Sequence, residues 1–265
     1  MGDGPYTQDP LTPWEREEFE DDLVSFSDRE LDLLGDIRGL DVLYAGGSSL
    51  LWVEGLSQRV GEGGTVTALE VDGDLVDAAR ENLENADLPA PARVVRGDVF
   101  GPPFGSGTFD LVYSAGLFHE LDVSDRGAER ALLALASVVR PGGRVATGDF
   151  VDTVPAVQLE DERLDVELAR LASGRELFGV GSPGRLVGLH ERGLSGVRWR
   201  VSGPQDVRHM GRIVLAEEEP AAFAVLPSGV LGRLRSRREA LRERVREEGY
   251  TRPATLYVEG RVRGG

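Results

Sequence analysis

Residues 42–50 read VLYAGGSSL. Val42-Leu43 has the character of a strand, Ala45-Gly46-Gly47-Ser48-Ser49 is a turn of small residues, and Leu51 to Leu56 continues as a helix. A strand that meets a helix N-terminus through small residues lets backbone N–H groups come close to a ligand. Tyr44 stands where such turns often carry an acid, and Ser48 and Ser49 stand where they often carry glycine. The nine residues alone fit both a cofactor loop and an ordinary strand-to-helix connection.

Working outward, the pattern alternates as in an α/β protein. Strand-like runs cover 41–44, 65–70, 93–96, 109–114 and 144–150, with helical runs between them. Over 74–85, Leu75, Ala79 and Leu83 share one face, with Asp72 or Asp74 as cap. Over 126–139, Leu132, Leu135, Ala136 and Val139 form a stripe, and Pro141-Gly142-Gly143 would stop that helix. Strands spaced by helices imply a parallel sheet with right-handed crossovers. Upstream, the three prolines and many acids of residues 1–22 read as an arm leading into a short helix near Trp14–Leu23. Asp28 would cap a second helix through Leu34. Downstream, helices are expected over 160–171, 183–192 and 231–248, and strands over 197–201, 212–216 and 255–262.

Composition narrows the function. The net charge of −16 argues against broad binding to nucleic acid or anionic membranes, which needs clustered cations. All 30 basic residues are arginine. Many acids without lysine suggest adaptation to a very salty cytoplasm, as in a halophilic archaeon, although high-GC codon usage also depletes lysine. The acidic surface is therefore not read as a metal site. No cysteine is present, so disulfides and thiolate chemistry are excluded. No apolar run approaches membrane-spanning length and no signal segment is visible, so a cytoplasmic protein is expected.

Ligands of open α/β sheets bind beyond the carboxyl ends of the strands, near the switch point. Gly46-Gly47-Ser48 follows the first strand. Glu70 ends the second, 24 residues beyond Gly46, where a carboxylate can accept both hydroxyls of a ribose. Asp98 with Val99 follows the third, and the loop Ser114-Ala115-Gly116-Leu117-Phe118-His119-Glu120 follows the fourth. Any one of these is commonplace turn chemistry; four at successive strand ends form a site.

The block from Leu40 to Phe150 resembles a class I S-adenosylmethionine-dependent methyltransferase of the small-molecule type. The segments VLYAGGSSL, VTALEVD, VVRGDVF, FDLVYSAGLFHEL and VVRPGGRVATGDF stand in that family's order and spacing. The resemblance covers a little under half of the chain. It implies a doubly wound, seven-stranded, mostly parallel sheet with the last strand antiparallel, and added C-terminal helices. It also implies S-adenosylmethionine as cofactor. Residues 23–150 would form the cofactor-binding half and 151–265 a part covering a small-molecule acceptor. By this resemblance Gly46, with Gly47 and Ser48, lies at the methionine end of the cofactor. Glu70 holds the ribose, Val71 lies against the adenine, Asp98 takes the adenine amino group and Val99 packs beside it. Ser114 and Ala115 line the methionine side. The family's acid is missing at Tyr44 and a glycine at Ser48; a serine there would be strained only if its φ were positive.

Methyl transfer asks the protein mainly for alignment and water exclusion. His119 is either a base for an acceptor that must lose a proton or a residue packed over the cofactor, and the second reading is preferred. His190 and His209 are expected at the surface. The arginines over 232–252 fit a surface helix paired with its own acids better than an RNA contact, because no aromatics interleave them. A non-catalytic homologue with a degenerate first loop is the alternative to the enzyme.

Overall fold

Every residue from Val42 to Ala45 is buried, because the sheet that holds them is covered on both faces. The computed structural model describes residues 11–152, 156–203, 205–216, 219–251 and 254–263, so residues 1–10 of the expected arm lie outside it. In chain order the elements are α1 (Pro13–Asp32), β1 (Asp41–Ala45), α2 (Leu50–Val60), β2 (Thr65–Glu70), α3 (Gly73–Glu84), β3 (Ala92–Arg96) and β4 (Phe109–Ala115). They continue with α4 (Gly127–Ser137), β5 (Val139–Phe150), α5 (Ala156–Ser173), α6 (Pro183–Gly193), β6 (Ser195–Val201), α7 (Met210–Ala216), α8 (Ser228–Glu248) and β7 (Thr255–Arg261).

The sheet runs β3-β2-β1-β4-β5-β7-β6. The first five strands are mutually parallel, and β7 is antiparallel to both neighbours. Strand order reverses between β1 and β4, which places the crevice for a ligand at their carboxyl ends. Period-two alternation sends Val42 and Tyr44 to the face covered by α1, α2 and α3, and Leu43 and Ala45 to the face covered by α4 and α6. A third apolar cluster, away from the sheet, joins Val157, Leu164, Leu168, Leu215, Phe223, Leu241 and Val245 of α5, α7, α8 and the short helix Ala221–Val225. The helices α5, α7 and α8 thus form a layer of their own. Among the described residues no helix is long and apolar enough to cross a membrane.

Four local expectations are corrected. The two N-terminal helices are one: Thr12 and Glu15 form a capping box and Pro13 takes the first turn, so α1 starts cleanly. Asp28 does not cap, because it pairs with Arg59 at 3.1 Å, and the Ser27 hydroxyl bonds back to the Val24 carbonyl at 2.9 Å within the helix. On α3 the cap is Asp72, but the buried residues are Val76 and Ala79, and Leu75 is exposed. Pro141-Gly142-Gly143 does not end α4, which stops at Ser137. It forms a bulge inside β5, where pairing jumps from Phe109–Val139 to Leu111–Arg144. Residues 212–216 are helix α7 rather than a strand; a short apolar run carries no period that separates the two.

The basic helix α8 turns its arginines onto carboxylates. Arg233 and Arg237 reach Glu167, Arg237 also Glu160, Arg235 Glu219, Arg244 Glu248 and Arg246 Glu243.

Candidate active site

The first loop is set by two backbone bonds. The N–H groups of Gly46 and Gly47 both donate to the Leu69 carbonyl at 3.1 Å, tying the turn to the end of β2. Those two donors are therefore not available to a ligand; the free N–H groups of the cradle are those that begin α2, from Ser48 on. Gly46 has φ +87°, and a Cβ there would stand 2.5 Å from Leu117 Cδ1. Gly46→Ala is accordingly expected to lower unfolding free energy by about 2 kcal/mol, through backbone strain and a displaced Leu117. Urea unfolding measures it. Ser48 is not among the residues with positive φ, so serine there carries no backbone strain. Its Oγ lies 3.5 Å from Glu70 Oε2.

Tyr44 leans over the loop: a Cβ on Gly47 would meet its hydroxyl at 3.3 Å. Its ring stacks on Trp52 at 6.3 Å and on Tyr113 at 6.2 Å, and Phe26 of α1 closes edge-on to Trp52. Burial, with the charge of Glu70, pushes the Tyr44 phenol up, so it stays neutral. The position of the family's acid is therefore an aromatic wall.

Along the rim, Glu70 is almost fully buried; its Oε1 accepts the Asp72 N–H at 2.9 Å while Oε2 faces Ser48. Val71 is 62% exposed, an open apolar face beside it. Asp98 is exposed and accepts the Phe100 N–H at 2.9 Å, and Val99 is buried behind it. The topology brings all of these to one edge of the sheet. Ser114 departs from expectation. Its side chain is buried on the α4/α6 face, where it donates to Thr147 at 3.3 Å. Ala115 and Gly116 line a small cavity of about 60 Å³ with Phe26, Glu30, Trp52 and Asp149.

His119 sits in the helical turn Phe118–Glu120 just past β4. Asp149, at the end of β5, fixes it. Asp149 Oδ1 accepts His119 Nδ1–H at 2.8 Å, and Oδ2 accepts the N–H groups of Phe118 at 2.6 Å and His119 at 3.2 Å. Nε2 is left facing Glu120, 3.7 Å away. Burial works to lower the imidazole, but the bond to and charge of Asp149, with Glu162 and Glu120, outweigh it and raise it to about 9. Burial lifts Glu162 of α5 to about 7, against the pull of His119. Three acids at this site, Asp149, Glu162 and Glu30, were not singled out from sequence. Asp149 was within reach of the strand-end rule, since it is the last residue but one of the segment VVRPGGRVATGDF. Glu30 and Glu162 carry no local signal, because they reach the rim from the helices α1 and α5.

His190 is not at the surface. It is fully buried, its Nδ1–H donates to the Leu186 carbonyl at 2.9 Å, and Nε2 accepts from Thr147 at 3.1 Å, completing a chain that starts at Ser114. Burial drops its pKa to about 4. A lowered imidazole stabilises the fold above its ordinary 6.5 and loses that contribution as pH falls through 4. About 3 kcal/mol should disappear over that window, a limb that urea titrations will show in the native chain and not in His190→Gln. His209 is half-buried, with φ +64° and Nε2 at 2.9 Å from Glu18 Oε2.

Residues 42–143 match a family model described as a methyltransferase domain. This stretch is similar to methyltransferase domains. Ubiquinone/menaquinone biosynthesis C-methyltransferase UbiE of Idiomarina loihiensis is 32% identical over 142 residues, 51% of this chain and 55% of that protein. The UbiE of Cronobacter sakazakii is 33% identical over 136 residues, 49% and 52% respectively. The chain spans about half the length of the curated relatives it matches. Among solved structures, a cyclopropane-fatty-acyl-phospholipid synthase-like protein from Lactobacillus casei superposes with a TM-score of 0.65 at 14% identity, covering 92% of each chain. The [4+2]-cyclase SpnF does so at 0.56 and 15%, covering 89% of this chain and 82% of that one. These two give the fold alone. A methyltransferase domain implies S-adenosylmethionine as cofactor. The site described above fits it: a glycine-held loop, an unstrained serine just before a helix and an anchored carboxylate at the end of β2 stand side by side.

Proposed function

We propose that the chain transfers a methyl group from S-adenosylmethionine to a small-molecule acceptor. The observation that carries this reading is Glu70, a nearly buried carboxylate at the end of β2, one strand from the switch point, with one oxygen anchored by Asp72 and the other turned to Ser48. In this reading Glu70 holds the ribose hydroxyls. Val71 backs the adenine, Asp98 and Val99 meet its amino edge, and Gly46, Gly47 and Ser48 shape the methionine end. Ala115 and Gly116 line the way to the acceptor. The cofactor supplies an activated methyl group attached to a cationic sulfur. In this reading the carboxylates of Asp149 and Glu30, which line the small cavity with Ala115 and Gly116, would favour binding of that cation. His119, held by Asp149, orients the acceptor and in its neutral form takes the acceptor's proton. Its elevated midpoint confines that role to alkaline conditions, unless a bound cation brings the imidazole down.

The lysine-free acidic composition reads as adaptation to a salty cytoplasm, so assays belong in molar KCl. Calorimetric titration with S-adenosylmethionine and S-adenosylhomocysteine tests the reading: micromolar binding is expected. The second reading, a non-catalytic homologue, draws on the aromatic wall at Tyr44 and on the occupied N–H groups of Gly46 and Gly47. Absence of heat with both ligands, from folded protein, would establish it.

A further inference from the structure

A larger concavity opens on the far side of His119. Helix α5, residues 177–180 and Arg185 enclose a groove of about 570 Å³, a volume suited to a small ligand. Backbone bonds splice it to the site: Gly179 N–H donates to the His119 carbonyl at 2.8 Å and Phe178 N–H to the Leu121 carbonyl at 2.7 Å. The wall of the groove is thus the segment that holds the His119 turn, and Glu162 lies between the two spaces.

Three arginines line this groove, in a chain with 46 acidic residues. Arg163 and Arg170 lie seven residues apart, two turns along one face of α5. Arg185 comes from α6, with its guanidinium 4.3 Å from the centre of the Phe178 ring. That stacking fixes the plane of a forked donor. Among the described residues no carboxylate forms an ion pair with any of the three. Two carboxylates also line the groove: Glu167 is held by Arg233 and Arg237 of α8, and half-buried Glu162 is lifted by burial to about 7, which reduces its charge. Three unpaired guanidinium groups around one hollow repel each other, and an oxyanion between them relieves that repulsion with charge-assisted, bidentate hydrogen bonds.

We propose that this groove binds an oxyanion group, a carboxylate or a phosphate, carried by the methyl acceptor, and so selects anionic small molecules. The proposal rests on the methyl-transfer reading above. Ligand-observed NMR titrations of the full chain, stepped down from molar KCl to the lowest salt at which it stays folded because screening weakens exposed charges, compare phenyl phosphate, benzoate and neutral benzyl alcohol. The triple variant Arg163→Gln/Arg170→Gln/Arg185→Gln is titrated beside the native chain, and S-adenosylhomocysteine affinity is measured in both. Expected is binding of at least one anion to the native chain, at least tenfold tighter than benzyl alcohol and at least tenfold weaker in the variant. S-adenosylhomocysteine affinity should stay unchanged, which also shows the variant is folded. The tighter of the two anions identifies the acceptor's group. Failure of all three probes to bind, or equal binding of anions by the native chain and the variant, with S-adenosylhomocysteine still bound, would overturn the proposal alone. Loss of S-adenosylhomocysteine binding by the native chain would remove the methyl-transfer reading and the acceptor site with it.

Discussion

Replacing Asp149 with asparagine is expected to bring the titration midpoint of the His119 imidazole from about 9 to below its ordinary 6.5. The reason is arithmetic of donors. Asp149 offers two oxygens, and both are taken: Oδ1 by His119 Nδ1–H and the Phe150 N–H, Oδ2 by the N–H groups of Phe118 and His119. Asparagine has one oxygen and places an amide N–H₂ against whichever donors remain. The bond and charge of Asp149, which raise the imidazole most, are lost with either orientation, and burial, the largest single influence, then outweighs the smaller upward pull of Glu162 and Glu120. Stability follows by linkage. A raised imidazole stabilises the fold fully below 6.5 and loses that contribution as pH rises through 9. The native chain should therefore lose up to about 3 kcal/mol on the alkaline side. In Asp149→Asn that alkaline limb should vanish, and stability at neutral pH should drop by about 2 kcal/mol for the orphaned donors. Histidine NMR titration and urea unfolding at several pH values read both effects; an unmoved midpoint would refute the assignment of Asp149 as the positioning carboxylate.

Glu70→Ala is expected to weaken S-adenosylhomocysteine binding by about 100-fold or more. Two hydrogen bonds to an ionised carboxylate contribute on the order of 3 kcal/mol together, and 1.4 kcal/mol is a factor of ten in affinity. Alanine also removes the acceptor of the Asp72 N–H, at the cap of α3, so part of the loss comes from a loosened β2–α3 turn. Glu70→Gln separates the two contributions. It retains an oxygen for Asp72 and lacks the charge, so a loss of about tenfold is expected. Calorimetry with the three proteins side by side decides: equal affinities would mean that Glu70 is not the ribose acid, whatever the fold.

The parallel strands were legible because buried strands read as short apolar runs punctuated by helices, as at Val42–Ala45 and Leu111–Val112. Helix ends were less so. Asp28 looks like a cap, yet its carboxylate reaches Arg59 of α2, a choice made by tertiary structure, and the hydroxyl of neighbouring Ser27 bonds back within the helix. The run over 212–216 has too few residues to show a period, and the third apolar cluster claims Leu215. At the site, the rim from Gly46 to Val99 follows a rule of topology, which is why residues far apart in sequence could be named together. The acids missed follow none. Glu30 and Glu162 depend on how α1 and α5 lie across the rim, information held in long-range packing. His190 likewise looked like any polar residue late in the chain until Thr147 and Leu186 gave its two nitrogens partners.

The aromatic wall around the first loop also makes the protein its own optical reporter. Of the three tryptophans, Trp14 and Trp199 are more than half exposed, whereas Trp52 is wedged among Phe26, Tyr44 and Tyr113 at the start of α2. Its emission should form the blue component of the fluorescence spectrum. Occupation of the neighbouring loop should change that component while leaving the solvent-exposed, red-shifted pair as an internal standard.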